Sequence, residues 1–252
     1  PTKPTDWLEK GWYRGNFRFT NLGNTLRVLN VVSYDDYVRG VVPLEMLTDW
    51  ALEAYKAQAI AARSYAYTSY QGGARDYDVS DDQSDQCYGG VQMASGRPVE
   101  TAITNTAVDQ TLGMFVEYGG QPIRAYFSSS DGGYTESIGC WANNAQVTSA
   151  GVVCSASPPY LTAVPDPWDV AMRPGWQVTF TSDQIRAAVQ QMQGIDIGPL
   201  TSVDLSDRNP PVVGHVVAIR LTGQYATVDL PADNFLRGYL GLRSSMVKLA
   251  PW

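Results

Sequence analysis

The sequence predicts an α+β fold, and three observations carry that reading. Apolar and polar residues alternate over the first strand-like runs, one long segment then takes a helical period, and strand-like runs return near the C-terminus between short helices. No regular βαβ alternation joins them. From Trp12 to Val32 the alternation crosses a turn at Asn21 to Asn24, which reads as a hairpin leading into a third strand-like run. Ser33 followed by Asp36 resembles a capping box, so a short helix is expected from Tyr34 to about Gly40, before Pro43. The strongest helix is expected from about Ala51 to Tyr70, with Asp49 as N-cap and Gly72-Gly73 just past its end. Leu52, Tyr55, Ala59, Ala62, Ala66 and Ser69 share one face of it, and their mostly small side chains allow another element to approach closely. A further helix is expected over Pro98 to Gln110, then a hairpin, GMFVEYGGQPIRAYFSSS, turning at Gly119-Gly120. Next come a helix near Ser182 to Met192, the strands HVVAIRLTG and ATVDL, a short helix at Ala232 to Leu240, and a final strand, SSMVKL.

At 252 residues and 44% hydrophobic content, the chain can bury one good core, or two lobes sharing an interface. No repeat or low-complexity linker divides it, so residues 1–252 read as a single domain, with about 1–11 as an N-terminal extension. The formal charge is −7 and no Lys/Arg run could neutralise a phosphate backbone, which excludes nucleic acid as an expected partner. No stretch of about 18 apolar residues occurs, so no membrane span is expected. The chain opens on Pro1 rather than Met, as a processed or trimmed chain does, so an export signal or anchor ahead of it is compatible with the sequence. Cys140 and Cys154 bracket a polar stretch with little local core, where a disulfide is expected, and Cys87 is left as a small buried thiol.

Among the acidic residues Glu45 has the most unusual setting, because VVPLEML surrounds one carboxyl group with apolar side chains and Trp50 follows. Apolar surroundings disfavour the charged form of a carboxyl group. An acid that keeps its proton near neutrality is what cleavage of a glycosidic bond requires, since the leaving oxygen must be protonated as the bond breaks. The rival reading is a surface carboxylate on an amphipathic turn. The 15 Tyr and 7 Trp suit sugar surfaces as well as cores, since their rings combine a flat apolar face with a polar edge.

The run SYDDYVRGVVPLEMLTDWALEAYKAQAIAARSYAY resembles the signature of the SpoIID/LytB family, the stage II sporulation protein D proteins and their amidase-enhancer relatives. RAYFSSSDGGYTES, PYLTAVPDPWD and FLRGYLGLRSSMVKL fit the same pattern in the same order, so the likeness runs from about Trp12 to the end. The resemblance implies a single two-lobed SpoIID-like domain with a central substrate groove. It also implies an exported bacterial protein of the cell wall, periplasm or extracellular space, acting on peptidoglycan glycan strands, with no cofactor and with wall amidases as further partners. In sporulation members the protein is a lytic transglycosylase, and the Glu of the Val-Pro-x-Glu-Met motif is its general acid, which places that role on Glu45. One carboxyl group would protonate the oxygen between MurNAc and GlcNAc and then accept the proton of the sugar's own 6-hydroxyl, leaving 1,6-anhydro-MurNAc ends. That differs from the two-carboxylate scheme of glycoside hydrolysis.

Lys56 and Arg63 match polar positions of the family and lie seven residues apart, on one helix face, so both are candidates to orient Glu45 or bind the sugar. The alternative is a pair of exposed cations. Ser129, Ser130, Tyr134 and Thr135 offer hydroxyls around Gly132-Gly133 in a candidate sugar-binding loop, against a purely structural turn. Asp169 matches a further polar position, either on substrate or as a loop cap. Some family members carry a Cys- and His-containing segment where this chain reads YDVSDDQSDQCY; Ser80 and Asp85 stand at the cysteine positions and Ser84 at the histidine, so no metal is expected. The single histidine, His215, is expected to be structural, and one histidine supports neither a His-based triad nor a multi-histidine centre. The competing class of function is a non-catalytic module that binds wall glycan or stimulates an amidase. A muramidase would share the acid but need a second carboxylate, for which Asp169 is the first candidate.

Overall fold

The computed structural model describes residues 11–70, 75–141, 144–148, 151–169, 175–209 and 214–250. The expected N-terminal extension and the Gly72-Gly73 helix stop lie, for the most part, outside the described residues. Helices and strands are both present, in the α+β manner, and the chain divides into two compact units, 1–129 and 130–252.

In the first unit β1 (Asn16–Asn21) and β2 (Leu26–Val31) form the expected hairpin, in register from Asn16 opposite Val31 to Asn21 opposite Leu26. Helix α1 (Tyr34–Glu45) begins where Ser33 accepts the Asp36 amide N–H. It does not stop near Gly40 as expected but runs on through Pro43 to Glu45. A Cβ at position 40 would lie 2.5 Å from Tyr88 Cε2 and 3.0 Å from the Gly90 carbonyl oxygen. The glycine is therefore there for close packing, not to end the helix. Pro43 forgoes one backbone hydrogen bond, and complete burial of Val38, Val41 and Val42 on the helix offsets the loss.

Helix α2 (Leu52–Thr68) presents the face read from its period: Tyr55, Ala59, Ala62, Ala66 and Ser69 are buried and Leu52 packs against the same core. Its N-cap is Ala51, without a side-chain bond, whereas Asp49 takes a left-handed φ of 68° in the connector. Helix α3 (Ala102–Asp109) is shorter than expected because Thr101 and Thr104 build a reciprocal capping box that fixes its start, while Pro98 bridges Gln92 in extended form. The core of this unit is the meeting of α1, α2 and α3 through Val38, Val41, Val42, Ala59, Ala62 and Val108. Strands β3 (Glu117–Tyr118) and β4 (Gln121–Pro122) turn at Gly119-Gly120.

In the second unit β5 (Ala145–Thr148) and β6 (Gly151–Cys154) pair antiparallel, and a Cys140–Cys154 disulfide ties the hairpin to the short 3-10 turn at Ile138–Cys140. Helix α4 (Ser182–Gln193) starts at a Thr181/Gln184 capping box and ends at Gly194. Strand β7 (Leu200–Asp204), then β8 (Arg208–Asn209) paired with β9 (His215–Val216), precede β10 (Ala218–Gly223) and β11 (Thr227–Pro231). β11, β10 and β7 make a three-stranded antiparallel sheet in that order. Strand period decides its two faces: Ile219 pairs Leu230 and Leu221 pairs Val228 in the core, while Arg220 and Asp229 pair between them as an outward ion pair. A π-helical segment, Asn234–Tyr239, buries Phe235 and Leu236 in the same core. The expected last strand over 244–249 does not form. Its partner would be the two-residue β9, which leaves only isolated bonds such as Val216 N–H to the Ser245 carbonyl. Among the described residues no helix is long and apolar enough to cross a membrane.

Gly40→Ala tests the packing account of α1. The added methyl must displace Tyr88 or the Gly90 backbone, so the unfolding free energy should fall by about 1–3 kcal/mol, read as a lower urea midpoint at unchanged slope. A change within experimental error would contradict the close approach.

Candidate functional site

Glu45 is the last residue of α1, and what holds it comes from a distant segment. Gln86 is fully buried between two helices, taking the Tyr37 hydroxyl of α1 at 3.2 Å and donating to the Ala62 carbonyl of α2 at 3.4 Å. A buried amide must satisfy its donors and acceptors, so Gln86 fixes the backbone that follows it. The next amide, Cys87 N–H, donates to Glu45 Oε1 at 2.6 Å. Two residues on, Gly89 N–H donates to the Gly40 carbonyl at 3.2 Å and keeps the segment against α1. One carboxyl oxygen is thus aimed by a backbone amide, and the side chain remains half-exposed. The apolar window seen in the sequence does not close around it. Helical geometry turns Val41 and Val42 into the core, and the chain leaves the helix after Glu45, so Leu47 is 62% exposed and Trp50 38%. The connector is braced instead by Tyr55, whose hydroxyl donates to the Leu47 carbonyl and accepts the Trp50 amide.

Of the two candidate cations on α2, Lys56 is half-buried and pairs with Glu53 Oε1 at 2.7 Å. Arg63 is neither an exposed cation nor placed to bind a sugar: it is 1% exposed. Its Nε donates to Asp35 Oδ1 at 2.8 Å and its Nη1 to the Met114 carbonyl at 3.1 Å. The guanidinium therefore cross-links α2 to the first turn of α1 and to the chain after α3. Seven-residue spacing put Lys56 and Arg63 on one face correctly, but that face passes under other elements before it reaches Arg63.

Ser80 and Asp85, at the two cysteine positions of the resembling segment, are bonded to each other. Ser80 donates to Asp85 Oδ2 through both N–H and Oγ, each at 2.8 Å, and Tyr65 Oη donates to Oδ1 at 2.9 Å. Burial pushes the Asp85 carboxyl up, but these bonds and the nearby Arg124 guanidinium outweigh it and hold the group below the usual carboxylate value. Among the described residues no group of three or more His, Cys, Asp and Glu side chains could hold a metal ion.

In the second unit the DGG loop is built around Asp169. Ser130 Oγ, Asp131 N–H and Gly132 N–H all donate to Asp169 Oδ2, at 2.7, 2.6 and 2.7 Å. Gly132 and Gly133 have φ of 75° and 105°, a conformation L side chains rarely adopt, so the chain turns sharply just after the two amides that meet this oxygen. Burial raises the Asp169 carboxyl and this set of donors lowers it further than burial raises it, leaving it below the usual value. Asp169 is thus the cap of this loop. Thr135 is equally structural, exchanging bonds with Val164: its N–H donates to the Val164 carbonyl at 3.0 Å and its Oγ1 accepts the Val164 N–H at 2.9 Å. Tyr134 bridges Pro165 through its backbone, and its side chain is half-buried. Ser129 and Ser130 are exposed, at the end of the first unit and the start of the second.

Glu136 was not singled out from the sequence, where hydroxyl residues flank it and no apolar window marks it. Burial is the main cause pushing its carboxyl up to about 7, Asp233 adds to this, and Arg237 opposes it. Its Oε1 is buried with no hydrogen-bond partner. His215 lies close, Nδ1 to Glu136 Oε2 at 3.8 Å, yet burial lowers the imidazole below its ordinary value, so near neutrality the histidine is mostly uncharged and the two do not form an ion pair. The histidine is structural, as expected: Nε2 meets the Tyr134 carbonyl at 3.1 Å and Nδ1 meets Ser245 Oγ at 2.9 Å. The carbonyl can only accept, which assigns the proton to Nε2.

Glu136 makes stability depend on pH with a definite sign. The folded state holds this proton up to about 7 while the unfolded chain releases it near 4.5. The native state thus binds more protons over that window, and stability falls as pH rises through it. Glu136→Gln removes the loss. The variant should gain on the parent protein by roughly 2–3 kcal/mol between pH 4.5 and pH 8, measured by denaturant titration at each pH. A gap that stays constant with pH would contradict the raised value.

Residues 23–118, which contain α1, α2 and α3, match the family model described as SpoIID, stage II sporulation protein. Stage II sporulation protein D of Bacillus subtilis (strain 168) is 31% identical over 197 residues, 74% of this chain and 52% of that protein. Its counterpart from Bacillus amyloliquefaciens is 30% identical over 198 residues, with the same shares. The amidase enhancer of Bacillus subtilis (strain 168) is 38% identical over 148 residues, 59% of this chain and 17% of that protein. The chain spans about half the length of the two sporulation proteins and a smaller part of the enhancer. Glu45, Lys56 and Arg63 fall inside the family match, and the DGG loop and Asp169 fall after it. Since the match takes in the helical core and the sporulation proteins align over most of the chain, this protein belongs to the SpoIID family.

Proposed function

We propose that this protein acts on the bacterial cell wall as a peptidoglycan lytic transglycosylase, with Glu45 as its general acid and then its general base. The observation that supports it is the anchoring of Glu45: a carboxyl group at the end of a buried helix, one oxygen held by the Cys87 amide, the side chain still open to solvent. A proton donor to a glycosidic oxygen must be held in a fixed direction, because proton transfer needs hydrogen-bond reach to the leaving oxygen. In the proposed step Glu45 gives its proton to the bridging oxygen as the C1–O bond of MurNAc breaks. The 6-hydroxyl oxygen of the same sugar then bonds to C1, and its proton returns to Glu45. Atoms balance without water, and one carboxyl group serves both halves.

The similarity to a protein named amidase enhancer favours a second reading, a module that binds wall glycan or assists an amidase without cutting. The two differ at one residue. On purified peptidoglycan, intact and stripped of stem peptides, the native protein should release products with 1,6-anhydro-MurNAc ends, identified by mass spectrometry. Glu45→Gln should lower that release by at least about a hundredfold while leaving glycan sedimentation unchanged. No anhydro product from the native protein on either substrate would reject the enzyme and favour the module.

A further inference from the structure

Trp168 is 83% exposed, more than any other large apolar side chain among the described residues. The described chain up to and just past it, Pro165 to Asp169, is fastened to the DGG loop. Trp168 N–H donates to Asp166 Oδ1 at 3.0 Å, Asp166 N–H donates to the Gly133 carbonyl at 2.9 Å, and Asp169 takes three donors from the DGG loop. Pro165 and Pro167 restrict the backbone further. A large apolar ring on a firm platform gains nothing for folding where it stands. It is preorganised for a ligand, since little backbone freedom is left to lose on binding.

The surroundings select the ligand's chemistry. Asp166 and Asp169 stand within two residues of Trp168 and Asp131 lies in the loop bonded to Asp169, so phosphate and other anionic groups are disfavoured there. Among the described residues Trp168 faces no second ring, so the aromatic cage that recognises a quaternary ammonium is not formed. An exposed flat indole flanked in the chain by Asp166 and Asp169 suits a pyranose: axial C–H groups for the ring face, hydroxyls and amide N–H for nearby acceptors. We propose that Trp168 is a stacking platform for an uncharged N-acetylhexosamine ring, the GlcNAc rather than the lactyl-bearing unit of the glycan. This rests on the reading of peptidoglycan glycan as substrate.

Binding is measured by calorimetry in protein carrying Glu45→Gln, which is proposed to stop turnover, with two probes: denuded glycan strands and chitotetraose, a neutral GlcNAc oligomer. Adding Trp168→Ala should weaken both by about tenfold, and Trp168→Phe by no more than about threefold, with unfolding midpoints unchanged. Unaltered affinity in the Ala variant overturns the inference and leaves the proposed function standing. A lowered unfolding midpoint also overturns it, as does an Ala effect confined to binding of zwitterionic lipid vesicles. If the protein with Trp168 intact binds neither probe, both readings fall. If binding depends on Trp168 but the native chain releases no anhydro product, only the cleavage reading falls.

Discussion

A buried glutamine side chain sets the geometry on which the first unit's chemistry depends. Gln86 accepts from α1 and donates to α2, and each bond is made where water cannot substitute. That cost of leaving a buried amide unpaired keeps the 86–89 segment in one position, and with it the Cys87 amide that aims Glu45. The helices themselves must hold their spacing for this to work. Small residues on α2, the Gly40 approach to Tyr88 and the Arg63 cross-link to Asp35 all serve that spacing. Packing and polar satisfaction therefore act on the same few ångströms of backbone.

The second unit reaches a comparable rigidity by other means. A single carboxylate oxygen gathers the DGG loop, His215 holds the Tyr134 carbonyl, and the Thr135–Val164 exchange lies between them. These are loops, and loops gain definition from capping bonds when no ladder is available. Among the described residues of this unit the buried Oε1 of Glu136 is the exception to this pairing, and burial there makes ionisation costly, which pushes the carboxyl group up.

What could be read from the sequence was whatever depends on side-chain period. The buried face of α2, the first hairpin with its turn at Asn21 to Asn24, and the Ser33 cap of α1 follow from spacing that any chain of these residues would impose. Glycine was ambiguous, since the same residue ends helices and admits close neighbours, and Gly40 does the second. Asp49 looked like a cap and is a left-handed connector residue. Arg63 was expected to orient Glu45 or bind the sugar, with an exposed cation as the alternative, yet it is buried, and Asp35 and a carbonyl make that burial tolerable. For Asp169 the sequence left substrate contact and loop cap open, and three donors on one of its oxygens give it the capping arrangement. The amide of Cys87 and the setting of Glu136 could not be read at all. A backbone N–H is the same in every residue, and burial of an acid among hydroxyl residues leaves no pattern.

The Ser80–Asp85 closure has a physiological consequence. At the two positions where some resembling proteins carry cysteines, this chain ties the loop with bonds drawn from oxygen and a backbone amide. That tie needs no ion from the surroundings and survives reductants and chelators alike. The Cys140–Cys154 link endures only where thiols stay oxidised, so the two halves of the molecule answer to different features of their milieu.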